Sequence, residues 1–188
     1  RGLAALAPGQ PVPEEPAAER LVKGPAFGKA AAGEGAAAPA WAGWRADAAR
    51  SGRTAERPAL PLKERWRAEG CTAPVAASGG TVFGVFQGHA VRALEAATGV
   101  PRWTVLVPGR VESAPFLDAG RLYLSDDEGW ARALLAADGA EVWRFRAALG
   151  KERTVAFERY MSRWPSRCGV VVRDGTAYFA AGLLPSEK

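Results

Sequence analysis

The chain has 188 residues, 48% hydrophobic and 24% charged, enough to bury one real core, and no apolar run nears the roughly 20 residues that cross a bilayer. Its net charge of +5 falls mostly on arginines scattered singly, without a Lys/Arg run or an Arg–aromatic ladder, which argues against nucleic acid as partner. Two cysteines and one histidine exclude a disulfide framework and a histidine metal cluster.

Residues 1–40 are rich in Ala, Pro and Gly, with little to bury and many breakers, so the composition predicts a linker. The chain opens on Arg1, and Leu3–Ala7 is too short for a signal-peptide core, so the native start is expected upstream. Gly24–Ala30 grazes a phosphate-loop pattern, but it has one spacer too few and Ala30 where Ser or Thr should stand. Leu60–Trp66 reads as a strand, with Leu60, Leu62 and Trp66 at even spacing.

Next comes a repeat. Ala93-Leu94-Glu95-Ala96-Ala97-Thr98-Gly99-Val100-Pro101-Arg102-Trp103 returns 40 residues later as Ala133-Leu134-Leu135-Ala136-Ala137-Asp138-Gly139-Ala140-Glu141-Val142-Trp143. The same offset carries Gly80 onto Gly120 and Phe83 onto Tyr123. The first unit spans about 74–107 and the second about 114–146, each holding four short alternating segments separated by Gly-bearing turns. Such a period, with one docking aromatic per unit, predicts propeller blades. A third unit is delayed by Ala147–Trp164 and restates only two strands, Cys168–Arg173 and Thr176–Ala181. The expected fold is therefore all-β, a partial propeller of four-stranded antiparallel blades in an incomplete ring. Residues 41–188 are read as an excerpt of a longer protein whose remaining blades are its first partner.

The repeat resembles the tryptophan-docking motif of pyrroloquinoline-quinone (PQQ)-type propellers, Ala-x-Asp-x-x-Thr-Gly-Lys-x-x-Trp. Ala93, Thr98, Gly99 and Trp103 match in the first copy, and Ala133, Gly139 and Trp143 in the second. Trp44-Arg45-x-Asp47-x-x-Arg50-Ser51-Gly52 is similar to the segment that opens many such propellers, and Leu21–Gly28 to a connection between propeller halves. Residues 164–182 resemble large bacterial members of the planctomycete kind. The resemblance implies that Trp66, Trp103 and Trp143 are packing residues and that the address is periplasmic or otherwise extracytoplasmic. It also raises PQQ with Ca²⁺ as a cofactor. The quinoprotein pattern, however, needs a vicinal Cys-Cys pair and Asn ligands, whereas Gly169 follows Cys168 and the chain has no Asn.

Asp126-Asp127-Glu128-Gly129 crowds carboxylates without calcium-loop spacing, so it reads as a solvated hairpin tip. Arg92 and Arg132 occupy one repeat position, expected at the surface, where aligned arginines would meet an anion. His89 reads as a turn residue, and Cys71 and Cys168 as free thiols. The strongest functional candidate is the insertion, expected to be a helical or irregular crossover. Arg153, Arg159, Arg163, Trp164 and the nearby Arg167 suit an anionic or carbohydrate-like ligand, or a protein. The leading expectation is a non-catalytic binding or assembly module, comparable in kind to the outer-membrane β-barrel assembly lipoprotein. The alternatives are a fragment of a PQQ-dependent quinoprotein dehydrogenase and an extracytoplasmic sensor domain.

Overall fold

The computed structural model describes residues 20–31, 41–55, 57 and 60–183. Alternating apolar residues and tight turns produce a meander of β2 (Ala76–Ser78), β3 (Thr81–Phe86), β4 (Ala90–Glu95) and β5 (Pro101–Leu106), hydrogen-bonded in that order. The second blade repeats it with β6 (Phe116–Asp118), β7 (Arg121–Ser125), β8 (Trp130–Leu135) and β9 (Glu141–Arg146). Even the irregularity repeats: Ala93 pairs with Trp103 and Ala133 with Trp143, and each ladder shifts register at the next residue.

The blades meet face to face. Phe83, Val85, Val91 and Ala93 from β3 and β4 pack against Leu117, Leu122, Leu124 and Leu134 of the second blade, all buried. This is what period-two patterning delivers when each sheet has a neighbour on its apolar face. Trp66 Nε1 donates to the Ala96 carbonyl at 2.9 Å, and Trp103 Nε1 to Ala136 at 3.0 Å. Each indole lies on the turn glycine of the following blade, Gly99 or Gly139, at φ 75° and 76°. A Cβ on Gly99 would fall 2.7 Å from the Trp66 ring, and one on Gly139 2.9 Å from that of Trp103. Glycine therefore serves twice there, for positive φ and for close approach. Trp143 is half-buried, its ring centroid 6.1 Å from that of Tyr123.

Four expectations change. Within the 1–40 linker, the described residues 20–31 are structured: β1 (Leu21–Lys23) adds antiparallel to β9 as the outer strand of the second blade. The Gly24 and Ala26 amides donate to Val142 and Glu141 carbonyls, and Arg20 Nε to that of Arg146 at 2.8 Å. Leu60–Trp66 forms no strand, and Leu60 and Leu62 are 81% and 72% exposed. Its alternation has no ladder partner among the described residues, and a strand exists only by pairing. The insertion is a hairpin, β10 (Arg153–Ala156) and β11 (Arg159–Ser162), turned by Phe157 and Glu158 at φ 51° and 63°. In the third unit only β12 (Val171–Arg173) and β13 (Thr176–Tyr178) pair, shorter than the segments expected. Residues 184–188 and the rest of 1–40 lie outside the described residues.

Candidate functional site

The β7–β8 turn is not a solvated tip. Asp126 is fully buried and Asp127 nearly so. Asp126 Oδ1 accepts the amides of Glu128 (3.1 Å) and Trp130 (3.0 Å), while Oδ2 faces the Arg132 guanidinium at 3.3 Å. Arg132 also reaches Glu141 at 3.1 Å. Burial pushes the Asp126 carboxyl above its ordinary range, outweighing Arg132 and the two amides. Asp127 locks the turn to the β5–β6 connection: its Oδ1 accepts the Arg110 amide at 2.6 Å, and its own amide donates to the Arg110 carbonyl at 2.9 Å.

Hairpin β10–β11 is pinned over this turn. Arg153 grips Glu128 with two bonds of 2.7 Å, a fork-to-fork pair. Glu112, on the β5–β6 connection, takes Arg159 at 2.5 Å on one oxygen and Arg167 at 2.5 Å on the other. Arg159 also reaches Asp127 at 3.4 Å. Partial burial would raise Glu112, but the two guanidinium bonds outweigh it and hold its carboxyl below the usual range.

Of the five candidate residues, three are thus occupied within the chain: Arg153, Arg159 and Arg167 neutralise Glu128, Asp127 and Glu112. Arg163 is exposed, and its amide donates to the Glu152 carbonyl at 2.9 Å. Trp164 is half-buried, with a buried Nε1 that has no hydrogen-bond partner. The outer surface of the hairpin presents Val155, Phe157 and Tyr160, 75%, 58% and 67% exposed. Arg167 stacks on the Phe157 ring at 4.1 Å and Arg153 on Tyr160 at 4.6 Å, so cations hold both aromatics in place. Sequence reasoning missed Glu112: a lone Glu between Val111 and Ser113 carries no motif, and its partners lie 47 and 55 residues away.

Arg132 is buried rather than at the surface, and half-buried Arg92 stacks on Phe86 at 4.7 Å, so the pair lines no anion-meeting face. His89 sits in the β3–β4 turn, its Nδ1 3.1 Å from the Val107 carbonyl. Cys71 and Cys168 are free thiols. The described residues do not fit PQQ with Ca²⁺. No three His, Cys, Asp or Glu among them are placed to hold a metal, Asn is missing from the chain, and each thiol stands without a vicinal partner. No helix among them is long and apolar enough to cross a membrane.

The family model described as outer membrane protein assembly factor BamB matches residues 42–175. Among solved structures, BamB from Moraxella catarrhalis is similar at 23% identity over 57% of this chain and 33% of its own, with a TM-score of 0.42. The quinohemoprotein alcohol dehydrogenase ADHIIG from Pseudomonas putida HK5 is similar at 16% identity over 58% of this chain and 16% of its own, with a TM-score of 0.48. The matched regions thus span about a third and a sixth of those two proteins. No curated protein sequence matches the chain.

Proposed function

The chain belongs to the BamB family of PQQ-type propeller repeats, and on that premise we propose that it is a non-catalytic binding module of a larger propeller protein, serving outer-membrane protein assembly by docking a protein partner. The observation that carries this reading is the pinned hairpin. Val155, Phe157 and Tyr160 face solvent on a segment fixed by the Arg153–Glu128 and Arg159–Glu112 pairs. Preset aromatics with arginines behind them are the composition of interface hot spots, because little side-chain freedom is lost on binding. The spent arginines argue against a simple anion site in the insertion.

The test has two arms on the same chain. An unfolded outer-membrane barrel protein should bind the wild type saturably and lose about tenfold or more in affinity for the Phe157→Ala/Tyr160→Ala double variant. Titration with PQQ and Ca²⁺, followed by absorbance and thermal shift, should leave the protein unchanged. A saturable PQQ response would favour the quinoprotein reading instead, and equal binding by the double variant would remove the hairpin from the mechanism.

A further inference from the structure

The outer edges of the two blades differ. In the second blade β1 closes the edge of β9, whereas β5, the outer strand of the first, pairs only with β4 among the described residues. The β4–β5 register identifies the groups that β5 leaves over. Ala90 stands opposite Leu106, and one step further the Val107 amide donates to the His89 carbonyl at 2.9 Å. Bonding alternates along an antiparallel ladder, so Trp103, Val105 and Val107 turn their main-chain groups to β4 and Arg102, Thr104 and Leu106 turn theirs outward. All three outward residues are exposed and none is a proline. An edge of this kind is a template for a further strand.

The sister strand shows that this repeat edge takes an antiparallel strand. At the 40-residue offset Val142, Arg144 and Arg146 stand for Arg102, Thr104 and Leu106. Val22 of β1 lies opposite Arg144, and the Gly24 amide donates to the Val142 carbonyl at 2.9 Å. The two edges differ in charge. A two-fold axis through the middle of β9 would set Arg144 against Arg144 of a second copy, and like charges directly opposite destabilise a ladder. In β5 the central position is Thr104, and Leu106, 75% exposed, replaces Arg146. The charge of Arg102 is met within the blade by Glu95 at 3.5 Å.

Residues 102–106 are complementary to themselves about Thr104. With the two-fold axis there, Thr104 meets Thr104 of the second copy, and Arg102 of each copy meets Leu106 of the other. These are the positions whose amides and carbonyls point outward, so three pairs exchange two main-chain bonds each, about six in all. Between them Trp103 of each copy stands opposite Val105 of the other. Threonine with threonine and an aromatic with a β-branched residue are favourable cross-strand neighbours, and the Arg102 stem covers an exposed leucine. We propose that β5 is the dimerisation edge of this protein, joining the first blades of two copies into one continuous antiparallel sheet. The occupant is a second copy of this chain, because the edge offers its own complement in a closed two-fold arrangement. The hairpin's aromatic face takes no part in it, and neither role depends on the other.

The test is sedimentation equilibrium of the 188-residue chain across a concentration series. Two strand edges make a small interface, so a monomer–dimer equilibrium with Kd of about 1–100 μM is expected. Thr104→Pro removes the central outward amide while its neighbours keep their bonds to β4, and Leu106→Lys sets a cation against Arg102. Each should weaken dimerisation by about tenfold or more. The Phe157→Ala/Tyr160→Ala variant should dimerise like the wild type. Register is read by oxidising a mixture of Arg102→Cys and Leu106→Cys chains, both carrying Cys71→Ser/Cys168→Ser. A disulfide between positions 102 and 106 should form, whereas two copies of position 102 lie about 13 Å apart along the ladder, too far to bridge. A monomer at every concentration up to about 1 mM, a dimer that both edge variants leave intact, or 102–102 disulfides in place of 102–106 would each overturn the proposal. If Thr104→Pro fails to fold, Leu106→Lys and the disulfide pattern decide it.

Discussion

The two blades share one ladder and treat the same arginine differently. Arg92 and Arg132 sit 40 residues apart at one repeat position on the third strand. In the second blade the guanidinium is buried between Asp126 and Glu141. In the first blade those two positions hold Phe86 and Pro101, so Arg92 lies over the Phe86 ring and its Nε is buried without a hydrogen-bond partner. The sheet therefore does not require the ion pair, since the first blade forms without it. What differs is the surroundings: the β7–β8 turn is roofed by the β5–β6 connection and by β10–β11, and a charge enclosed in that way needs a counter-charge.

The comparison breaks most visibly at Asp126. Asp126→Ala leaves Arg132 buried beside uncapped amides and should cost about 3–5 kcal/mol in denaturant unfolding, whereas Asp126→Leu with Arg132→Met should recover most of that loss. Failure of the double variant to recover would mean that the second blade needs its charges for more than each other. Trp103→Ala comes next: the indole fills the seam between blades and loses its bond to Ala136, for about 3–4 kcal/mol. A melting midpoint unchanged in this variant would remove the indole from the seam.

Glu112→Gln should cost about 1 kcal/mol and free β10–β11 to proteolysis, because a part-exposed charge-assisted pair is worth little more. The folded-state pKa of Glu112 is depressed, so its contribution is present above the ordinary carboxylate pKa and lost as pH falls through the lower folded value. That of Asp126 is raised, so protonation favours the fold, and its contribution grows as pH falls through the raised value toward the ordinary one. Glu112→Gln should accordingly flatten acid destabilisation of the hairpin, measured as protease protection across an acid titration. The smallest effect is expected at Arg92→Met, neutral or stabilising by up to about 1 kcal/mol, since a buried unpaired Nε disappears while the stem still covers Phe86. A large loss there would mean that Arg92 has a role Phe86 does not explain.

The features legible in the sequence were those that repeat. The 40-residue offset located eight strands, the Gly99 and Gly139 turns and the docking indoles, and BamB-family membership agrees with the propeller they predicted. The reading failed where a residue's fate is set by a neighbour distant in the chain. Leu60–Trp66 alternates like a strand yet finds no partner among the described residues. Asp126–Gly129 has turn chemistry and is a turn, but nothing local announces the roof above it. In the insertion, the arginines were visible and their carboxylates were not.

Local pattern alone determined the blades, because alternation, turn glycines and a periodic tryptophan act over a few residues and need only an equivalent neighbour. Tertiary structure alone decided the rest: β1 on β9, Arg20 bonding a carbonyl 126 positions away, and Glu112 joining Arg159 and Arg167. Charges and hydrogen-bonding groups pair with whatever the fold brings within about 3 Å. Chain order does not encode which partner that will be.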